Sequence, residues 1–149
     1  MATDFDVDII LCEDGWSPPT CTSQSALRIL KNKQGKQFIG KYNSSAATKA
    51  KNKLLQMLLP YKLQVPYDCP LYVNIYYELP WRKSEPKKNL EKEYMHHDVR
   101  PDADNLLKLL LDSMNGIFWK DDSLISKICF HKTRGHNPRI RIRIKKLHN

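Results

Sequence analysis

The sequence RPDADNLLKLLLDSMNG occupies residues 100–116 and is the most strongly patterned segment of the chain. Because Pro101 disfavours helical geometry for Arg100, the segment is predicted to begin in an extended conformation. Alternate side chains of an extended chain point to the same side. Asp102 and Asp104 are therefore expected to lie side by side.

A helix is predicted to follow this extended entry, from Asn105 to about Asn115, with Gly116 as its C-terminal stop. Asp104 is then the candidate N-cap, and both aspartates lie at the positive end of the helix dipole. Lys108 follows Asp104 by one turn. Helical spacing is shown by the apolar residues Leu106, Leu107, Leu110, Leu111 and Met114.

A second acidic pair, Asp121 and Asp122, precedes an alternating segment, 124–130, that is predicted to be a strand. A helix of about eleven residues followed by a short turn can bring this pair back beside the first pair. Three or four carboxylates would then converge with Lys108. The alternative is that the aspartates only cap the helix or occupy an exposed turn, and that Lys108 is a solvated helix residue.

Carboxylates held this close repel one another, and a divalent cation is the simplest compensation. Oxygen ligands favour magnesium, with manganese as the second choice. A lysine beside a metal held by carboxylates suits phosphoryl transfer, in which charge on the transferring oxygens has to be stabilised. The segment therefore indicates chemistry on a phosphate ester.

The motif resembles that of the RusA family of Holliday junction resolvases, small endonucleases of DNA recombination and repair common in bacteria and prophages. The matching pattern is Arg-Pro-Asp-x-Asp-Asn-x-x-Lys-x-x-x-Asp-x-x-Asn-Gly, then Asp-Asp-x-x-Ile. The resemblance implies that Asp102, Asp104 and Asp122 are catalytic, metal-binding aspartates. It also implies that Lys108 is the catalytic lysine and that Asp121 is a supporting metal ligand. A homodimer is implied as well, because two active sites must cut the two strands of a four-way junction symmetrically.

The composition agrees with a protein that acts on nucleic acid. The chain has 149 residues, with 25 Lys plus Arg against 16 Asp plus Glu and a formal net charge of +9. Such a charge favours polyanionic partners, and a basic chain with a tight acidic cluster fits a nuclease better than a passive binder. Two alternatives remain open: a non-catalytic basic protein that binds junctions or single-stranded DNA, and a general nuclease for flaps or forks.

The remaining composition points to a cytoplasmic protein with no membrane association and no small-molecule cofactor. The four cysteines are scattered without a Cys-x-x-Cys pair, which favours reduced thiols over a zinc site or a disulfide framework. The N-terminus has no basic region, and no apolar run approaches the length that spans a membrane. We expect one domain over residues 1–149.

The expected fold is α+β, a two-layer arrangement with helices packed on one side of a mixed sheet, as in the RusA family. The predicted order is strand, hairpin, helix, strand, loop, helix, strand, strand. In the first strand, Asp4, Asp6 and Asp8 alternate with apolar residues, and the last strand carries a basic row from Arg139 to Lys145. Either these two rows face each other across paired strands, or the basic row faces DNA, and the sequence alone does not decide between the two.

Two further regions are candidates for DNA contact. Residues 80–99 are predicted to form an inserted loop or flap before the catalytic motif. Residues 31–53 contain seven lysines and no acidic residue, so they are either a solvated surface or a phosphate-binding one. The side chains expected to bind DNA are Arg100, Lys83, Lys87, Lys88, Lys120 and Arg134.

Overall fold

Alternating apolar residues in three strands form the inner face of a sheet, and two amphipathic helices cover that face. The computed structural model describes residues 4–21, 26–42 and 45–149. In chain order the strands and helices are β1 (Val7–Leu11), β2 (Ala26–Lys31), β3 (Gln37–Tyr42), α1 (Ser45–Leu58), β4 (Leu71–Pro80), α2 (Lys87–Leu90), β5 (Tyr94–His96), α3 (Ala103–Met114), β6 (Ile125–Gly135) and β7 (Arg139–Lys146). Short 3-10 helices occupy Leu59–Tyr61 and Asp122–Leu124.

Five strands form one mixed sheet in the order β1-β7-β4-β6-β5, and β2 pairs with β3 in a separate two-stranded sheet. Within the larger sheet, β4 and β6 are parallel, and the other neighbouring pairs are antiparallel. Since parallel strands need a crossover connection, the chain between β4 and β6 passes through α2, β5 and α3. The predicted two-layer α+β fold is thus confirmed.

The core lies between the sheet and the helices α1 and α3. In β4 and β7 every second residue is buried, which is the period expected of strands that have only one covered face. Leu58 of α1 and Leu110 of α3 are fully buried, as is Trp119 after α3. The apolar stripe predicted for α3 therefore faces the sheet.

The acidic residues around the first strand pair with basic residues of the last strand. Asp8 accepts two hydrogen bonds from Arg141, at 2.9 and 2.7 Å, and lies 3.6 Å from Arg143. Asp4 pairs with Lys145 beside them. The hydrogen bond from Arg141 lowers the pKa of the Asp8 carboxyl, against the opposing effect of burial. Of the two alternatives that the sequence left open, the structure shows the one in which the acidic and basic rows face each other.

Two boundaries differ from the predictions. The inserted loop expected at 80–99 contains α2 and the edge strand β5, because Tyr94 to His96 pair with the end of β6. Helix α3 begins at Ala103, so Asp102 is its N-cap and Asp104 lies in its first turn. Consequently the two aspartates are not neighbours on one side of an extended chain. Among the described residues, no helix is long and apolar enough to cross a membrane.

Replacement of Ile142 by alanine should lower the free energy of unfolding by about 2–5 kcal/mol, because the side chain is fully buried in the centre of the sheet. The same replacement at Ile10, which is 45% exposed on β1, is the matched control and should cost about 1 kcal/mol or less. Urea denaturation of both variants checks the difference. Equal losses would contradict the burial pattern.

Candidate active site

Two carboxylates lie at the start of α3. Asp102 has extended backbone angles (φ −71°, ψ 141°), and its side chain makes no hydrogen bond to the amides that it caps. Its backbone oxygen accepts from the amide of Leu106 at 3.3 Å. Asp104 lies in the first turn, and Lys108 follows one turn later; all three charged side chains are exposed. The positive end of the helix dipole therefore faces two carboxylates that are open to a ligand.

A lysine of β6 holds the segment that leads into these carboxylates. The ammonium group of Lys132 donates to the carbonyl oxygen of Val99 at 2.8 Å and to that of Pro101 at 2.7 Å. Hydrogen bonds from a charged donor are about twice as strong as neutral ones. Lys132 thus fixes the backbone directly before Asp102.

A buried histidine provides the second attachment of the same segment. Arg134 donates from Nε to Nδ1 of His97 at 3.0 Å and from Nη1 to the carbonyl oxygen of Pro80 at 2.9 Å. Because Nδ1 of His97 accepts a hydrogen bond, the proton is on Nε2, which donates to the carbonyl oxygen of Arg100 at 3.0 Å. Burial and, secondarily, the nearby charge of Arg134 lower the pKa of His97, so the ring is held neutral.

A cavity of about 600 Å³ adjoins the start of α3. Its lining includes Asp102 together with the basic residues Arg100 and Arg134, and the polar residues Thr20 and Asn105. Burial lowers the pKa of Arg134, one of the lining residues, from its usual value. The cavity brings acidic and basic groups to one polar surface, which suits a ligand that carries both phosphate and a cation.

The second acidic pair lies at the other end of α3. At that end Gly116, with a φ of +78°, allows a tight reversal in which its amide donates to the carbonyl oxygen of Trp119 at 2.8 Å. The amide of Lys120 then donates to the carbonyl oxygen of Tyr67 at 3.1 Å, just ahead of β4. A helix of 12 residues is about 18 Å long, and the two acidic pairs lie at its opposite ends.

The predicted convergence of the aspartates therefore does not occur within one chain. In the part of the chain that the structure describes, no group of three or more His, Cys, Asp or Glu residues could hold a metal ion. The physical reason is the position of Asp121 and Asp122 in the chain. Both residues precede β6, and only β6 returns the chain towards the start of α3.

The two residues of the second pair have different surroundings. Asp121 caps the 3-10 helix, accepting from the amide of Ser123 at 3.2 Å, and hydrogen bonds from Ser123 lower the pKa of its carboxyl. Asp122 is the first residue of that helix, and its side chain is exposed. Lys120, expected to bind DNA, forms an ion pair with Asp68 in which both side chains are about 60% exposed.

The other basic residues expected to bind DNA fall into two groups. Lys83, Lys87 and Lys88 are exposed, the last two on α2. Arg100 lines the cavity beside Asp102, whereas Arg134 donates hydrogen bonds to His97 and to the carbonyl oxygen of Pro80. Sequence analysis did not identify the attachment roles of His97 and Lys132. The signal that could have identified Lys132 is its alternation with Arg134 on β6, which puts both side chains on the same face of the strand.

Acidification should destabilise the protein through His97. Its pKa is lower in the folded chain than the usual 6.5, so the unfolded chain binds more protons as the pH falls below that value. The free energy of unfolding should decrease from pH 7.5 to pH 5.5, and the decrease should be smaller in His97→Gln. Urea titrations at both pH values check this. The matched control is His148→Gln, which removes an exposed histidine; an unchanged decrease in His97→Gln would contradict the neutral, buried ring.

Comparison with known proteins places this arrangement in a family. The chain is 30% identical over 78 residues to the Uncharacterized protein YqaN of Bacillus subtilis (strain 168). That match covers 50% of this chain and 55% of the relative, so the chain spans about half the length of the curated protein that it matches. The family model described as Endodeoxyribonuclease RusA matches residues 18–145, which include both acidic pairs and all the strands from β2 to β6. The chain therefore belongs to the RusA endodeoxyribonuclease family.

Proposed function

We propose that this protein is a metal-dependent endonuclease that resolves four-way DNA junctions by paired, symmetric hydrolysis of phosphodiester bonds. The observation that carries the proposal is the family match over residues 18–145, which includes two open carboxylates at the start of α3. The net charge of +9 supports a polyanionic substrate.

The acidic side chains have the donor chemistry of a site for magnesium or manganese, but within residues 4–21, 26–42 and 45–149 of one copy no three of them come together. We propose a homodimer in which Asp102 and Asp104 of one copy face Asp121 and Asp122 of the other. In a two-fold dimer, if one end of α3 meets the other end in the partner, the reverse contact also forms. Two equivalent sites result, as two symmetric cuts require.

The chain's own residues have distinct roles in this reaction. Asp102, Asp104 and Asp122 would hold the ion, and Asp121 would support them. When bound, a divalent ion lowers the pKa of an attacking water and stabilises charge on phosphate oxygens. Lys108, on the same exposed side of the chain as the aspartates, would stabilise the negative charge that develops on the phosphate.

Binding of the DNA arms rests on exposed cations around these carboxylates. Arg100 lines the cavity next to Asp102, and Lys83, Lys87 and Lys88 lie on the connection that leads towards β5. Each lysine or arginine that neutralises a phosphate releases condensed counterions, so binding should weaken steeply with salt. Lys120 would have to exchange its contact with Asp68 for one with phosphate.

Asp102→Asn should abolish cutting and leave DNA binding intact or stronger, because a negative charge facing phosphate is removed. The assay uses a labelled four-way junction and a matched linear duplex, each with and without magnesium. We expect symmetric, magnesium-dependent nicks in the junction alone, and a loss of at least about a hundredfold in the variant.

The matched control is Asp98→Asn, which removes an exposed carboxylate four residues upstream. Cutting by Asp102→Asn at the native rate would refute the assignment. Tight junction binding with no cutting under either metal would instead support a DNA-binding protein. Equal cutting of flaps or forks would support a general structure-dependent nuclease.

The shared site can be tested by mixing two inactive variants. In a mixed dimer of Asp102→Asn with Asp122→Asn, one composite site contains both substitutions and the other contains neither. After subunit exchange in equal proportions, roughly a quarter of all sites should be intact, and the mixture should nick one strand of the junction. Each variant alone should be inactive.

If every site were built from one chain, all sites in the mixture would carry a substitution and no nicks would form. Native protein mixed with an equal amount of either variant calibrates the extent of exchange through paired cutting, because full exchange lowers the share of dimers with two intact sites from about one half to about one quarter. A silent mixture together with proven exchange would reject the composite site.

A further inference from the structure

The β2–β3 ribbon, residues 26–42, is a separate antiparallel pair beside the five-stranded sheet. Its tip is well defined: the side-chain oxygen of Asn32 accepts from the amide of Gln34 at 3.0 Å and from that of Lys36 at 2.8 Å. The turn needs a left-handed residue, and Gly35 supplies it with a φ of +81°. The ribbon thus has a fixed turn and a fixed register.

Both faces of this ribbon present apolar side chains to solvent. Ile29 and Ile39 are directly opposite each other and are 71% and 73% exposed. On the other face, Leu30 and Phe38 form the next pair and are 36% and 50% exposed. Two-stranded ribbons are marginally stable alone, and exposed apolar area costs about 25 cal/mol per Å². This exposure is typical of a surface that a partner covers.

The basic charge around the ribbon indicates which kind of partner would bind there. Lys31, Lys33 and Lys36 surround the tip and are exposed. In the sequence, residues 15–67 contain nine basic residues and no acidic one. A second ribbon packed on this one would bring its own lysines against these lysines, whereas a polyanion would be attracted to them.

We propose that the β2–β3 ribbon inserts into branched DNA; this inference rests on the function proposed above and extends it to junction recognition. Lys33 and Lys36 contact phosphates, and Ile29, Ile39 and Phe38 contact the bases that lose their stacking partners where DNA arms meet. An antiparallel two-stranded ribbon fits the major groove of DNA. Apolar side chains placed between base steps open and kink DNA, and an aromatic ring can stack on an exposed base.

The test compares the variants Lys33→Gln/Lys36→Gln and Ile29→Ser/Ile39→Ser with the native protein. Binding to a labelled four-way junction and to a matched duplex is measured by fluorescence anisotropy over a salt series, with EDTA present. The lysine variant should bind both DNAs more weakly, with the slope of log K against log salt reduced by about two. The isoleucine variant should bind the junction about tenfold more weakly and the duplex almost normally.

The matched control is Lys62→Gln/Lys127→Gln, which removes two exposed lysines outside the ribbon and should leave the salt slope within about half a unit of the native value. Melting temperatures equal to that of the native protein show that the variants are folded. Native junction affinity in the isoleucine variant would overturn the proposal, as would a lysine variant that behaves like the control. A shift of the isoleucine variant to a smaller assembly in sedimentation would also overturn it, because the ribbon would then cover a second copy.

These outcomes are independent of catalysis. Binding in EDTA requires neither metal nor cutting, so a ribbon that fails to bind DNA leaves the nuclease proposal standing. A protein that binds junctions through the ribbon but never cuts them would refute the nuclease proposal alone.

Discussion

The parallel pairing of β4 with β6 determines where the acidic residues of this protein lie. Parallel neighbours force the chain to return from the end of one strand to the beginning of the next, and α3 makes that return over the inner face of the sheet. Asp102 therefore lies where the return begins, and Asp122 lies where it ends. The separation of the two acidic pairs is a consequence of topology, and local changes in the loops would not remove it.

Electrostatic pairing divides the basic residues of the chain into two classes. Basic residues of β7 pair with three acidic residues at the start of the chain, and Arg134 and Lys132 hold the segment before α3. The charges of these residues therefore form ion pairs and hydrogen bonds within the chain. Other lysines are exposed, among them Lys33 and Lys36 on the β2–β3 ribbon and Lys87 and Lys88 on α2.

The order of strands and helices could be predicted because periodicity is local: Ile140, Ile142 and Ile144 alternate, and Leu106 and Leu110 are one turn apart. The family could be recognised because a short motif fixes residue type and spacing together. The separation of the two acidic pairs could not be predicted, since it depends on which strand carries the chain back, and strand order is a long-range property. The hydrogen bond between His97 and Arg134 joins residues 37 positions apart, and no sequence pattern around either residue indicates that the other is its partner. The strand β5 was missed because three residues are too few to show a period.

The length of α3 determines the spacing of the acidic residues in the proposed dimer. Its 12 residues set the distance between the two acidic pairs of each copy, which are the half-sites of the proposed metal sites. The distance between the two metal sites of the dimer therefore depends on the number of residues in the helix. An insertion of one turn would lengthen the helix by about 5 Å and put both half-sites out of register with those of the partner at once. The ribbon tip and the α2 connection lie outside the interval from Asp102 to Asp122, so a change in their length leaves the spacing of the half-sites unaltered, whereas a change in the length of α3 alters it at both sites.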